Sequence, residues 1–589
     1  MVNGVIPASQ IKSEPREMRV SKMLSKNFSA FAMLGVSILT LGAHGNAQEA
    51  ERVFVNGTIY TVDEKFSKAS AMAVKDGKFV YVGDENGVRE HIGPHTFVTD
   101  LQGRSVIPGL HDAHIHIRFG ERELYPRIPD IRSSLGEWAS VEQMQKVIKR
   151  CLETGEGMRP GPEPRWLVLT GWMSDVWDPP EFRKELIDAV APDNPVFIIR
   201  YTHGSGANSK ALELAGITRD TPDPEGGHIK KDKNGEPTGE FVERAPSQLT
   251  RLIPPAPPLT DYERSRNLVE GTQLALASGL TTLHGAGRTG YNEVQRRLKL
   301  YETGLLRIRI NEMVNENAAK QLGKPLNYKN KFFVQSVKSF LDGALGSRGA
   351  HFLEEYSDYP GFFGEPRQNE DILTKTAVEL LNIGFNLRVH TIGDAANRIA
   401  INAFERSLKE TGKNGKDVRF ALEHCQVLDP DDIKRLADLG IIASMQPLHA
   451  TEDMHFAEAR LGARRMKGAY AWKTYFDLGV VVATGTDYSV SPYNPFYTLH
   501  AAVTRQDREN NPPGGWFPEE ALSREQALWA ATMGGAHAMH AENILGSIEI
   551  GKLADFVVIP VDYMAIPAED IWKIEPDMTI IEGETVYSK

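Results

Sequence analysis

Short alternating apolar and polar segments at both ends of the chain bracket a middle in which apolar runs of strand length alternate with stretches of helical period. At the N-terminal end, residues 53–61 and 71–83 read as short strands joined by Asn56-Gly57 and Asp76-Gly77 turns. Residues 546–560 and 578–587 have the same texture. The pattern predicts one discontinuous β-sandwich domain built from residues 48–105 and 542–589. Between them, residues 106–117, 280–284, 306–313, 332–341, 385–390, 418–424, 441–446 and 480–487 read as strands. Strands that alternate with helices belong to β-α units and a parallel sheet, so the expected fold is α/β, a (β/α)8 TIM barrel over residues 106–541. The first interval is far longer than one such unit. A large insertion after the first barrel strand, about residues 118–260, accounts for it and ends near the proline-rich stretch 254–258.

Composition narrows the partners. With 589 residues, 41% apolar and 25% charged, the chain has the balance of a globular protein of two or more domains. A formal charge of −11 without a long basic run excludes nucleic acid as a partner and suits a small-molecule substrate, with homo-oligomerisation left open. Residues 28–43 form an apolar run after Lys22 and Lys26 and before Gly45-Asn46-Ala47, which reads as a signal peptide cleaved after about Ala47. Residues 1–47 are then leader and signal, the mature protein is periplasmic or secreted, and no membrane attachment survives cleavage. An uncleaved anchor is the alternative, and Met18 and Met23 compete with Met1 as the translation start. The two cysteines, Cys151 and Cys425, exclude a disulfide framework, and Cys425 is expected in packing.

The candidate chemistry sits where the strands end. His114 and His116, two residues apart at the close of the first strand, point one way and can share an ion. By chance, 17 histidines in 589 residues yield on the order of half of one His-x-His, so the pair carries weight only in company. The company is Lys338 in the fourth strand, His390 closing the fifth, His424 closing the sixth and Asp487 closing the eighth. In a TIM barrel these ends open on one face, and histidines with an aspartate suit Zn2+. Taken singly, each has a structural alternative: a hydrogen-bonded core histidine, a helix-capping aspartate or a salt-bridged lysine.

The motifs 106–116, 203–212, Pro237-Thr238-Gly239 with Glu243, 338–349, 390–394, Glu423-His424, 485–487 and 551–555 resemble, in order, those of the amidohydrolase superfamily. The resemblance runs from about Glu51 to Tyr587 and is to the amidohydrolase 3 group of YtcJ-like and N-substituted formamide deformylase-like proteins. It implies His114 and His116 on one metal, carbamylated Lys338 bridging to a second, His390 and His424 on that second metal, and Asp487 completing the first metal's coordination and handling protons. The cofactor is then two Zn2+ ions, with other divalent metals or a single ion as alternatives.

A hydrolase of amide-like, non-peptide carbon–nitrogen bonds follows, working by attack of metal-activated hydroxide with Asp487 moving the proton. His424 and His203 are further catalytic candidates; Trp172, His203 and Asp394 are candidates for substrate contact. For Trp172 and Trp177 the alternative is packing of the insertion core, and for Asp394 and Asp342 it is loop capping or orientation of histidines. A carbon–oxygen hydrolase or isomerase on the same fold, or an inactive exported binding protein, remain as alternative functions.

Overall fold

Eight parallel strands, β1 to β8, follow one another around a barrel in chain order: Leu110–Ile115, Leu280–Thr289, Arg309–Val314, Phe332–Phe340, Asn386–Thr391, Ala421–His424, Ile442–Met445 and Val482–Thr484. The structure is a computed structural model that describes residues 49–589 apart from 121–127, 133–138, 173–180, 201–203, 225 and 257. The leader with its cleavage site lies outside the described residues. Strand neighbours pair in parallel from β1 through to β8. The seam between β1 and β8 is closed by other means. Asp487 N donates to His114 O at 2.7 Å and His116 N to Tyr488 O at 2.6 Å. Beneath them the buried Asp112 carboxylate accepts from His114 N, Thr486 N and Thr486 Oγ1 at 3.2, 3.0 and 2.6 Å.

The outer helices follow their local sequence. In Pro430–Leu439, Asp429 caps the first turn by accepting from Asp431 N, Pro430 takes the first position, and Gly440 ends the helix at φ 66°. Ile433 and Leu436, three apart on one face, are its buried apolar contacts. After the insertion, Thr260 and Glu263 form a capping box that starts the helix Asp261–Ala277 leading into β2. Among the described residues no helix is long and apolar enough to cross a membrane.

The apolar run 106–117, expected as one strand, is two. Ser105–Pro108 belongs to a six-stranded sheet with Phe556–Ile559, and the chain enters the barrel only at Leu110. Gly109 is the corner: a Cβ there would lie 2.3 Å from Thr281 Oγ1 on β2, so only glycine allows the approach. The Asn56-Gly57 turn also differs from expectation. Arg52–Val55 and Thr58–Tyr60 do not pair but enter separate sheets, whereas Asp76-Gly77 does turn a hairpin between Ala71–Lys75 and Lys78–Gly83.

The two terminal sheets, four-stranded and six-stranded, share a core that includes Phe54, Phe79, Val106, Phe556 and Ile580. Each phenylalanine buried there is worth about 1.5–3 kcal/mol. A fully buried arginine ties this unit to the barrel. Arg309 on β3 meets Asp555 through Nε at 2.6 Å and Nη2 at 3.0 Å, and Glu582 at 3.1 Å. The insertion carries its own five-stranded sheet, ordered Gly227–Lys231, Pro237–Glu243, Gly204–Ala207, Val196–Arg200, Leu167–Trp172.

Candidate metal centre

Asp487 is the hub of the barrel mouth. Its Oδ1 lies 3.5 Å from His114 Nε2 and 3.2 Å from His116 Nε2, and its Oδ2 lies 3.7 Å from His449 Nε2. Two donor groups share it, His114 with His116 and His424 with His449, and within each the ligand atoms all lie within 4.8 Å of one another. The His424 ring packs between its neighbours, 4.8 Å from His114 and 4.4 Å from His390. Asp487 and His424 hold left-handed backbones at φ 53° and 74°. Such conformations cost of order 1–3 kcal/mol at a non-glycine residue and persist where the surroundings impose them.

Hydrogen bonds behind the donors orient them. Glu423 Oε2 sits 2.5 Å from His114 Nδ1, and its Oε1 accepts from Arg388 Nη1 at 3.1 Å. Gln446 Oε1 lies 2.7 Å from His424 Nδ1, while the other end of that amide donates to Ser444 O at 3.2 Å, which sets its orientation. In both histidines Nδ1 is the donor, so Nε2 is left with its lone pair toward the centre.

The charges follow from burial. Burial, reinforced by Lys338, lowers His114 against the pull of Glu423 and Asp487, and burial takes His424 well below its ordinary value, so both imidazoles are neutral. Burial would raise Asp487, and what lowers its carboxyl well below the ordinary range is positive charge at the positions of His114, His116 and His424, a charge that a bound cation would supply where the rings are neutral. Burial brings Lys338 down to about 8, with Arg388 and Arg288 pushing the same way and Glu423 and Asp487 opposing. Its Nζ is buried without a hydrogen-bond partner, 5.1 Å from the Phe340 ring centroid. A buried amine left bare is costly unless something binds it. Neutral imidazoles, an ionised carboxylate and a bare amine are a donor set that fits a divalent cation such as Zn2+.

A family model described as "Amidohydrolase family" matches residues 98–587. The chain belongs to the amidohydrolase family. Among the relatives of this amidohydrolase is YtcJ of Bacillus subtilis, 32% identical over 91% of this chain and 99% of the relative. The N-substituted formamide deformylase of Arthrobacter pascens is 26% identical over 92% of this chain and 99% of its own. A solved structure of a metal-dependent hydrolase from Pyrococcus furiosus superposes with a TM-score of 0.64 at 25% identity, covering 87% of this chain and 99% of that one. Membership makes the chain a hydrolase on the amidohydrolase barrel, with a mouth suited to a divalent metal.

The structure brings together His114, His116, His424 and Asp487, with His390 and Lys338 beside them. His449 is an addition that sequence reading missed: it sits on the helix Pro447–Asp453 after β7, where no strand-end pattern marks it. Glu423 enters the sequence reading only as part of the Glu423-His424 motif and without a role, although a glutamate inside an otherwise apolar strand is a signal in itself. Trp172 is corrected to packing. It is fully buried in the insertion core, 4.6 Å from the Phe182 ring, with Nε1 donating to Ile198 O at 3.1 Å. Asp394 accepts from Leu353 N at 2.8 Å, a loop-holding bond, and Asp342 holds the loops after β4 and β5 through His351 N, Ile392 N and Gly393 N. His203 and Trp177 lie outside the described residues.

Two described residues of the remaining motifs have structural partners. Asn208 caps the helix Ser209–Ala215, and Glu243 bonds Arg367 at 2.6 Å while filling the space where a Cβ on Gly343 or Gly349 would sit. Cys425 lies buried in the core, as expected.

Proposed function

We propose that this chain hydrolyses an amide-like, non-peptide carbon–nitrogen bond of a small substrate with zinc as its metal. The observation that carries the reading is the meeting of His114, His116, His424 and Asp487 around the bare amine of Lys338 at the barrel mouth. The Arthrobacter pascens relative, whose name describes removal of a formyl group from an amide, supports the bond type.

His114, His116 and Asp487 would hold one ion; His424 and His390, with Lys338 as a carbamate, would hold a second, and His449 offers a further donor. The unprotonated form of the lysine amine would add carbon dioxide and release a proton, which would turn a buried group without a hydrogen-bond partner into a carboxylate. When bound, such ions polarise a carbonyl and bring the pKa of water from 15.7 to about 7. The Asp487 carboxylate takes a proton from the attacking water and delivers it to the leaving nitrogen. The carbon–oxygen bond forms, the carbon–nitrogen bond breaks, and the amine leaves with the proton. Glu423 and Gln446 keep His114 and His424 in the tautomer that leaves Nε2 available.

Metal analysis of the purified protein and of Lys338→Ala tests the centre. Two ions in the wild type and fewer in the variant are expected; one ion in both removes the bridging carbamate. A panel of N-formyl amines, N-acyl amino acids and cyclic amides tests the reaction, and metal retained with silence across the panel sinks the hydrolytic reading. Export through residues 28–43 belongs to the same proposal and is supported by the charge and small-residue pattern flanking that run.

A further inference from the structure

Beside the donors, along the ends of β1 to β4, lies a cavity of about 350 Å3. His116 forms part of its wall, so a molecule held there reaches the first donor group. Phe340 forms another part, and the same ring lies 5.1 Å from Lys338 Nζ and 5.2 Å from the His390 ring. Ile117, Phe119, Leu268 and Ala286 make the rest of the apolar lining.

Among the described residues the charges around this cavity do not cancel. Glu293 is engaged by Arg296 and by Arg297 at 2.9 Å, and Glu312 is engaged by Arg297 and Thr289. Arg264 is paired with Asp261 at 2.6 Å. Arg118 and Arg288 line the same wall, both are exposed, and neither has an ion-pair partner among the described residues. The Arg288 guanidinium lies 5.9 Å from the Phe340 ring centroid, on the ring that also borders Lys338 and His390. Uncompensated cations in a concave, partly apolar wall concentrate the field on whatever enters. A guanidinium presents its donors in a planar fork that matches a carboxylate.

We propose that Arg118 and Arg288 receive a carboxylate at the end of the substrate remote from the scissile amide, so that the substrate class is a small amide bearing a carboxylate. The apolar lining takes the part of the molecule between the two ends. The proposal rests on the hydrolase reading for the reaction at the metal end, and on the cavity for the carboxylate end.

Two probes differ only in that group: N-formylphenylalanine and N-formylphenylalaninamide. Calorimetric titration of the full metal-loaded protein should show the acid binding at least about 10-fold tighter than the carboxamide, equivalent to about 1.4 kcal/mol. In Arg118→Gln/Arg288→Gln the ratio should fall to about one while the carboxamide's Kd stays within about twofold. Arg288→Gln alone should remove part of the preference. Circular dichroism and metal content serve as folding controls, since both side chains are exposed. Equal binding of the two probes, no binding of either, or a preference that survives in the double variant overturns the proposal, the last because the acid would then be held by the metal. Acid preference lost in the double variant but no hydrolysis of either probe leaves this inference standing and counts against the hydrolase reading.

Discussion

Glu423→Gln separates what holds the barrel together from what would hold the proposed metal. Glu423 and Arg388 are both fully buried and bonded at 3.1 Å, and the second carboxylate oxygen meets His114 Nδ1. The substitution leaves the Arg388 guanidinium charged in the barrel interior, where its remaining bonds are to Ala538 O and to Ser336 Oγ at 3.3 Å. Removing one partner of a buried pair costs about 3–5 kcal/mol, because the other charge stays desolvated. Loss of the charged acceptor behind a metal-binding histidine lowers metal affinity by about 10–100-fold. Urea unfolding of chelator-treated protein reads the first effect, and a competitive metal titration at neutral pH reads the second. Adding Arg388→Met should recover most of the stability by removing the stranded charge, and none of the metal affinity, which depends on His114. An unchanged unfolding midpoint in Glu423→Gln would refute the first half of this reasoning, and metal affinity restored by Arg388→Met would refute the second.

Three further outcomes are expected. Burial raises Asp342 to about 7 against three backbone donors, so its folded value lies above its unfolded one near 3.8. The stability it contributes is therefore full below the unfolded value and is lost as pH rises toward 7, by up to a few kcal/mol; Asp342→Asn should narrow the difference between urea midpoints at pH 5 and pH 8. Asp555→Asn should cost about 3 kcal/mol or more by stranding Arg309 between the barrel and the terminal sheets, read by chemical denaturation. Amino-terminal sequencing of protein recovered from outside the cytoplasm should begin near Gln48, and an intact leader there would refute cleavage.

Much of the candidate site could be read from the chain because its possible donors close apolar runs. His390 and His424 stand at or next to the ends of β5 and β6, and a histidine or aspartate there interrupts a pattern that the core otherwise keeps apolar. His449 broke no such pattern, since it follows Pro447 on a short helix that the period of strands does not reach. Trp172 misled for the converse reason: a tryptophan at a strand end looks the same in sequence whether it faces a substrate or a core.

The order of apolar and polar positions by itself determined the number of barrel strands, their alternation with helices and the face on which the candidate chemistry gathers, because periodicity is a property of neighbours in the chain. Which side chains meet was decided by closure of the barrel. His114 on β1 reaches Glu423 on β6, 309 positions away, across the barrel interior, and Asp112 reaches Thr486, 374 positions away, because closure brings β1 beside β8. The tertiary structure likewise decided that residues 105–108 and 110–115 lie in different sheets, since the corner at Gly109 depends on how closely Thr281 approaches it. Local pattern carries the direction of a side chain but no information on distance across the fold, and the candidate metal centre is made of such distances.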